Sequence, residues 1–416
     1  METADAGGIV GPSPGLLICE DMMAVSGGTK FLAARYKETN IDDLFMYDCI
    51  TTSKKPQKNQ SEHGKPPGKT NNILACAFSS SGKYFALTDD NKQLILFCTK
   101  PSWECLSIRP VMRRCTSLII TAAEDKILVA DKSGDVYSYS IIEPKNAGTI
   151  ELGHLSLLLD LALSPDDQYI VTADRDEKIR VSLTKAPHVI VSFCLGHREF
   201  VSRILVIPNF PDFLLSASGD GTLRLWKYKS GKELHCFQLN HLNIYEATKN
   251  EKKYAVSRIA YCCEGNYTAI LYDCIPAVSI FQLDADAQNL ISRQHISLNH
   301  KGWDVAFEET GGLWVLQENQ KIPLLFYQPE DGQWQPVVDK EELVKMSKYI
   351  RDHWTVFEGA VEKESCFQNL YKTSFDNMSI YLKKKEERLQ QQKNKRKDSQ
   401  YESGEQTKKV RTGMLP

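Results

Sequence analysis

Short apolar runs separated by polar turns dominate the chain from residue 16 to about residue 338. Phe213-Leu214-Leu215-Ser216-Ala217-Ser218, then Gly219-Asp220-Gly221, then Thr222-Leu223-Arg224-Leu225-Trp226 reads as strand, tight turn, strand. The same arrangement stands 44 residues earlier as Thr172-Ala173-Asp174-Arg175-Asp176-Glu177-Lys178-Ile179-Arg180-Val181. A Gly-His pair precedes each copy, Gly153-His154 and Gly196-His197. Weaker copies are Ala130-Asp131-Lys132-Ser133-Gly134-Asp135-Val136-Tyr137 and Leu87-Thr88-Asp89-Asp90-Asn91-Lys92-Gln93-Leu94-Ile95. Strand ends at Phe97, Tyr139, Ser182 and Trp226 are 42 to 44 residues apart, and further apolar segments end at Tyr47, Phe281 and Tyr327. Seven units of 40–45 residues predict an all-β, seven-bladed WD-repeat β-propeller over 16–338. One four-stranded blade cannot bury both faces, but blades in a ring bury one another and protect their edges.

Two insertions break the ruler, a Lys/Pro/Gly-rich one at about 51–72, expected to be disordered, and a polar surface one at about 240–253. Gly64-Lys65-Pro66-Pro67-Gly68-Lys69-Thr70 is one residue short of a phosphate loop, carries two prolines and lacks strand–helix context, so it is rejected as one. Past the propeller the period changes. Tyr371, Phe375, Met378 and Leu382 recur at helical spacing, and Ser365 with Gln368 fits a capping box. The chain is therefore expected to divide into a flexible N-terminus (1–15), the propeller, a C-terminal helical extension (339–392) whose stripe packs on the propeller, and a disordered basic tail (393–416).

Charge and chemistry alter this picture little. The chain has 416 residues and a formal net charge of -2. From Lys383 to Lys397, however, eight residues are basic and two acidic. Lys383, Lys384, Lys385, Arg388, Lys393, Lys395, Arg396 and Lys397 suit a solvated helix, a nuclear-import signal or an arm that touches RNA phosphates. This places the chain in the nucleus, with the cytoplasm as a further compartment. The twelve Cys are scattered without metal spacing, as expected of reduced thiols. A secretory signal, a membrane span, a metal motif and a nucleotide fingerprint are all expected to be absent. His197, Asp220 and Ser216 could be drawn as a catalytic triad. With Trp226 they fit the WD-repeat hydrogen-bond network better, and the preceding unit repeats them as His154, Asp176 and Thr172, with Ser182 in place of Trp. A scaffold motif recurs between units where a catalytic site would not, so no enzyme is expected.

Lys132-Ser133-Gly134-Asp135-Val136-Tyr137, Gly153-His154-Leu155-Ser156, Ser164-Pro165-Asp166-Asp167, the 172–181 segment, Trp303-Asp304-Val305-Ala306-Phe307-Glu308-Glu309-Thr310 and the 371–392 helix together resemble the WD-repeat, non-catalytic subunits of tRNA (guanine-N7)-methyltransferases. The likeness runs from about Phe31 to about Gln392. It implies a heterodimer with a Rossmann-like, S-adenosylmethionine-binding methyltransferase, which this chain stabilises while helping present tRNA for N7-methylation of a variable-loop guanine. It implies no cofactor on this chain itself. A general interaction propeller, such as a ubiquitin-ligase substrate receptor, is the alternative. Arg175, Glu177 and Lys178 on one turn, with Arg198 and Glu199 on a neighbouring loop, form the candidate partner-binding rim, against a plain solvated hairpin tip. In this reading Asp176 is held inside.

Overall fold

The structure is a computed structural model that describes residues 14–38, 43–54, 71–242, 255–273, 275–357, 360–361, 365–372, 378 and 381–388. Seven four-stranded antiparallel sheets form, each from one contiguous stretch: 15–48, 73–110, 115–153, 158–194, 201–238, 256–297 and 302–337. Strand order within every blade follows the chain, so no blade borrows a strand from the other terminus. The first strand of each blade lines a central channel and the fourth forms the outer edge.

Burial explains the sequence pattern. Second and third strands are sandwiched between neighbouring blades, so they are apolar on both faces: Met22–Gly27 is buried throughout, and Tyr84–Asp89 and Thr222–Lys227 nearly so. Outer strands such as Glu104–Pro110 and Ala186–Cys194 are largely exposed. Phe97, Tyr139, Ser182, Trp226, Phe281 and Tyr327 all fall in third strands. Tyr47 does not; it lies in the fourth strand of the first blade, Phe45–Asp48, because the third strand there is Lys30–Arg35. The expected insertions begin as 3-10 turns, Cys49–Lys54 and Leu239–Leu242. Their remainders at 55–70 and 243–254, including Gly64 to Thr70, lie outside the described residues, as do 1–13.

The ring closes where blade 7 meets blade 1. The Leu16 N–H donates to Asp304 Oδ2 at 2.8 Å, and Leu16, Met23, Val25, Trp303, Trp314 and Phe326 share one core. A helix the strand ruler does not foresee, α1 (Glu341–Asp352), lies in this seam. Its Leu343, Met346 and Ile350 are buried in the same core. Lys340, just before it, pairs with Glu308 of blade 7 at 3.1 Å. Lys345 Nζ donates to the Arg35 and Glu38 carbonyls of blade 1 at 2.9 and 2.6 Å. One helix thus bridges both sides of the closure.

The expected helix through Tyr371 is not formed there. Ser365 Oγ accepts the Phe367 N–H at 3.0 Å, two residues on, and a three-residue 3-10 turn, Gln368–Leu370, follows. Phe367 and Leu370 pack with Leu159, Phe200 and Ala255. That hydrophobic anchorage holds the chain in a short turn instead of a helix. The chain divides into two units after Tyr371. In the second, residues 381–388 are helical and exposed. Met378 is helical too, and Phe375 lies outside the described residues.

Candidate partner-binding rim

The turns between second and third strands, and the loops entering each first strand, open on one rim. Blade 5 shows how the rim is built. Ser216 Oγ–H pairs with His197 Nε2 at 2.7 Å, Trp226 Nε1–H donates to Ser216 Oγ at 2.7 Å, and His197 Nδ1–H faces Asp220 Oδ2 at 3.2 Å. Asp220 also accepts the Arg198 N–H at 3.0 Å and the Thr222 hydroxyl at 2.6 Å. Burial works to raise the Asp220 carboxyl, but the bond and charge of His197, with the Thr222 and Arg198 donors, outweigh it and hold it well below the usual carboxylate range. Burial pushes His197 below its ordinary value despite Asp220. Ser216 and Trp226 are fully buried and His197 is 4% exposed. No substrate can reach this serine, and its partners are all structural.

Blade 4 uses a different aspartate from the one expected. His154 Nδ1 lies 3.2 Å from Asp174 Oδ2, and its Nε2 lies 2.8 Å from Thr172 Oγ1. Asp176 is exposed and takes no part. The reason is where the turn's carboxylate comes from. In blades 2, 3 and 4 the last residue of the second strand, Asp89, Asp131 or Asp174, caps the turn by accepting the N–H of Gln93, Asp135 or Lys178. In blade 5 that position is Ser218, and Asp220 in the turn takes over. The recurrence of Asp89, Asp131 and Asp174 at the repeat spacing was the available signal. Ser182, in place of Trp, accepts Arg180 Nε at 2.9 Å. Arg180 also donates to the Gly153 and Pro187 carbonyls at 3.0 and 2.9 Å, a brace the sequence reading missed.

Arg175 and Lys178 project from this turn into solvent, and Glu177 is partly buried. Arg175 N–H donates to the Leu157 carbonyl at 2.9 Å, as Gly219 N–H does to Phe200. A Cβ at Gly219 would stand 2.4 Å from the Phe200 ring, which demands glycine there. With Leu157 in place of Phe200, blade 4 can carry an arginine at the same position. Glu177 has φ +72, as Gly221 has φ +74. It is a charged residue where glycine fits better. Arg198 is exposed and Glu199 partly buried on the loop leading into blade 5, whose Glu199 carbonyl accepts Ser218 Oγ–H at 3.0 Å. The structure therefore brings Arg175, Glu177, Lys178, Arg198 and Glu199 to one rim over adjacent blades. Leu155 and Leu195, both exposed, lie on the same loops.

Lys383, Lys384, Lys385 and Arg388 lie on the exposed 381–388 helix, while Lys393, Lys395, Arg396 and Lys397 lie outside the described residues. Among the described residues no His/Cys/Asp/Glu group could hold a metal ion. No helix among them is long and apolar enough to cross a membrane.

Comparison with known proteins places these features. The family model for the tRNA methyltransferase TRM82 WD40 domain matches residues 33–151 and 143–322. The Homo sapiens tRNA (guanine-N(7)-)-methyltransferase non-catalytic subunit WDR4 is 54% identical over 372 residues, 89% of this chain and 90% of that protein. The Danio rerio protein of the same description is 45% identical, covering 90% and 92%. The Drosophila pseudoobscura pseudoobscura non-catalytic subunit wuho is 32% identical, covering 77% and 79%. Among solved structures, U3-55K superposes with a TM-score of 0.58 at 17% identity, over 81% of this chain and 94% of that one. That last likeness shows the fold alone.

Proposed function

Since the chain belongs to the family of WD40 non-catalytic subunits of tRNA (guanine-N7)-methyltransferase, we propose that the blade 4–5 rim is where it holds the catalytic subunit. The chain is a non-catalytic scaffold subunit and not itself the enzyme. Its partner is a catalytic tRNA methyltransferase subunit. In our reading that partner has a Rossmann-like fold and binds S-adenosylmethionine, and the propeller stabilises it while tRNA is presented for N7-methylation. This chain then needs no cofactor of its own. The ubiquitin-ligase reading finds no support beside these relatives.

The observation that carries the rim assignment is the Arg175–Lys178 turn. Its backbone does not call for these side chains: Arg175 stands where a sister blade has Gly219, and Glu177 occupies a backbone conformation suited to Gly221. Charged residues kept at an unfavourable position point outward to a binding role. Arg175, with Lys178 and Glu177, would pair with opposite charges on the partner, and Arg198, Glu199, Leu155 and Leu195 would extend the contact. Arg175→Leu should weaken binding of the purified catalytic subunit at least about tenfold, while the isolated propeller melts as the wild type does. Affinity unchanged within twofold would return Arg175 to an ordinary surface residue.

The basic residues from Lys383 to Lys397 serve nuclear import in this reading, and the same arm can touch tRNA phosphates. Truncation after Gln392 should lower the nuclear fraction of the chain in cells lacking the catalytic partner. An unchanged fraction would remove the import role.

A further inference from the structure

The central channel holds a partly open cavity of about 380 Å³. Four charged side chains from the inner strands reach its wall: Asp160, Arg203, Arg258 and Asp304. Each stands directly after a β-bulge in its strand, between 158 and 160, 201 and 203, 256 and 258, and 302 and 304. A bulge re-aims the side chain that follows it. In blade 2 the corresponding residue is Ala75, so the charges are not a requirement of the bulge.

The two carboxylates are consumed by the fold. Asp160 Oδ1 accepts Ser117 Oγ–H at 2.9 Å and Leu161 N–H at 3.0 Å, and its Oδ2 accepts Ile204 N–H of the next blade at 2.9 Å. Asp304 accepts Val305 N–H and, across the ring closure, Leu16 N–H, both at 2.8 Å. These aspartates tie neighbouring inner strands together. The guanidinium groups are only partly consumed. Arg203 uses Nε on the Ser257 carbonyl and Nη1 on the Ser202 carbonyl, and among the described residues its Nη2 has no acceptor. Arg258 Nε lies 3.2 Å from Asp304 Oδ1 but is not aligned to donate, and it is buried without a hydrogen-bond partner. Two guanidinium groups on the inner strands of adjacent blades thus line one partly open cavity, and among the described residues Arg203 Nη2 has no acceptor. Phe367, itself 1% exposed, lines the same cavity, with the Arg203 guanidinium 5.9 Å from its ring centre.

We propose that the central channel binds a small oxyanion, free or carried as the phosphate of a small molecule, between Arg203 and Arg258. Guanidinium groups match such oxygens with paired N–H donors, and their half-buried position in the channel strengthens the interaction. Asp304 offsets part of the Arg258 charge, so the anion is held by the geometry of the N–H donors more than by net positive charge. The site is separate from the partner-binding rim.

Calorimetric titration of the full chain with inorganic phosphate, at ionic strength held constant with chloride, tests this. Saturable one-to-one binding is expected. The double variant Arg258→Gln/Asp304→Asn, which removes both charges and keeps an acceptor for one of the Leu16 and Val305 N–H groups, should weaken it at least tenfold. Arg293→Gln, on an exposed outer strand, should leave it unchanged. If the double variant melts far below the wild type, Arg203→Lys takes its place, since it keeps the charge and removes the spare Nη2 donor. Adenosine 5′-monophosphate run in parallel separates the two sources: tighter binding than phosphate assigns a phosphate-bearing small molecule, and equal or weaker binding assigns the free ion. Absence of saturable binding to both ligands, equal binding by the channel variants, or equal loss in Arg293→Gln would each overturn the proposal.

Discussion

At the scale of single residues, the blade 5 network decides between chemistry and architecture. His197, Ser216, Asp220 and Trp226 are close enough for a relay, yet the serine is sealed and also accepts the indole N–H. Asp220→Ala leaves the buried imidazole and the Thr222 hydroxyl half-satisfied, and should cost about 1–3 kcal/mol. His197→Ala should cost a similar amount. Thermal melting of the isolated chain checks both; unchanged melting with lost activity of the complex would make the network functional. The pH dependence has a definite sign. The folded Asp220 carboxyl is depressed below its ordinary 3.8, so its stabilisation is fully present above about pH 4 and is lost as pH falls further. Wild-type melting temperature should therefore drop more steeply below pH 4 than that of Asp220→Asn. Parallel curves would contradict the depressed carboxyl. The sequence identified this quartet because its members recur at fixed spacing. It misplaced the blade 4 aspartate because Asp174 and Asp176 both lie beside the turn, and alignment to Asp220 favours the wrong one.

At the scale of elements, the informative pieces are the blade 4 turn and helix α1. Glu177 sits at φ +72, a conformation that costs a non-glycine residue roughly 1 kcal/mol. Glu177→Gly should therefore leave the isolated chain equally or slightly more stable, yet weaken the complex, a split that melting and binding measurements read separately. A variant that loses stability would refute the strain argument. Helix α1 carried a readable signal, with Leu343, Met346, Ser347 and Ile350 at helical spacing and Glu341 and Glu342 in its first turn. The longer stripe from Tyr371 looked stronger on paper. Residues 378 and 381–388 of that stretch are helical, but Tyr371 itself packs edge-on against Phe200 at 5.0 Å, beside Phe367, outside any helix. Periodicity counts apolar positions, but it cannot tell which tertiary pocket each will fill. Met346 is fully buried in the closure seam, so Met346→Ala should cost about 2–5 kcal/mol. Denaturant unfolding would measure it, and a loss under 1 kcal/mol would mean that α1 is dispensable to closure.

At the scale of the whole molecule, the blade count and ring were legible because every blade repeats one burial problem: two central strands apolar on both faces and an exposed outer strand. The closure was not legible. It depends on contacts between residues about 300 apart, such as Leu16 with Asp304 and Lys345 with Asp43, which no local pattern encodes. The blades are also clasped outside the channel: Asp167 of blade 4 accepts the Ala122 and Ala123 N–H groups of blade 3, both at 2.9 Å. Such a body is a rigid frame without a reactive cleft at its recurring His–Asp pairs, which suits a subunit that supports another's chemistry. The central claim is that this chain contributes support, not catalysis, to tRNA (guanine-N7) methylation. Its most direct test is N7-methylguanosine formation on a tRNA transcript with S-adenosylmethionine, using this chain alone, the catalytic subunit alone, and both together. The account predicts no product from this chain alone and a rate for the pair well above that of the catalytic subunit alone. Product from this chain alone, or a catalytic subunit indifferent to its presence, would contradict it.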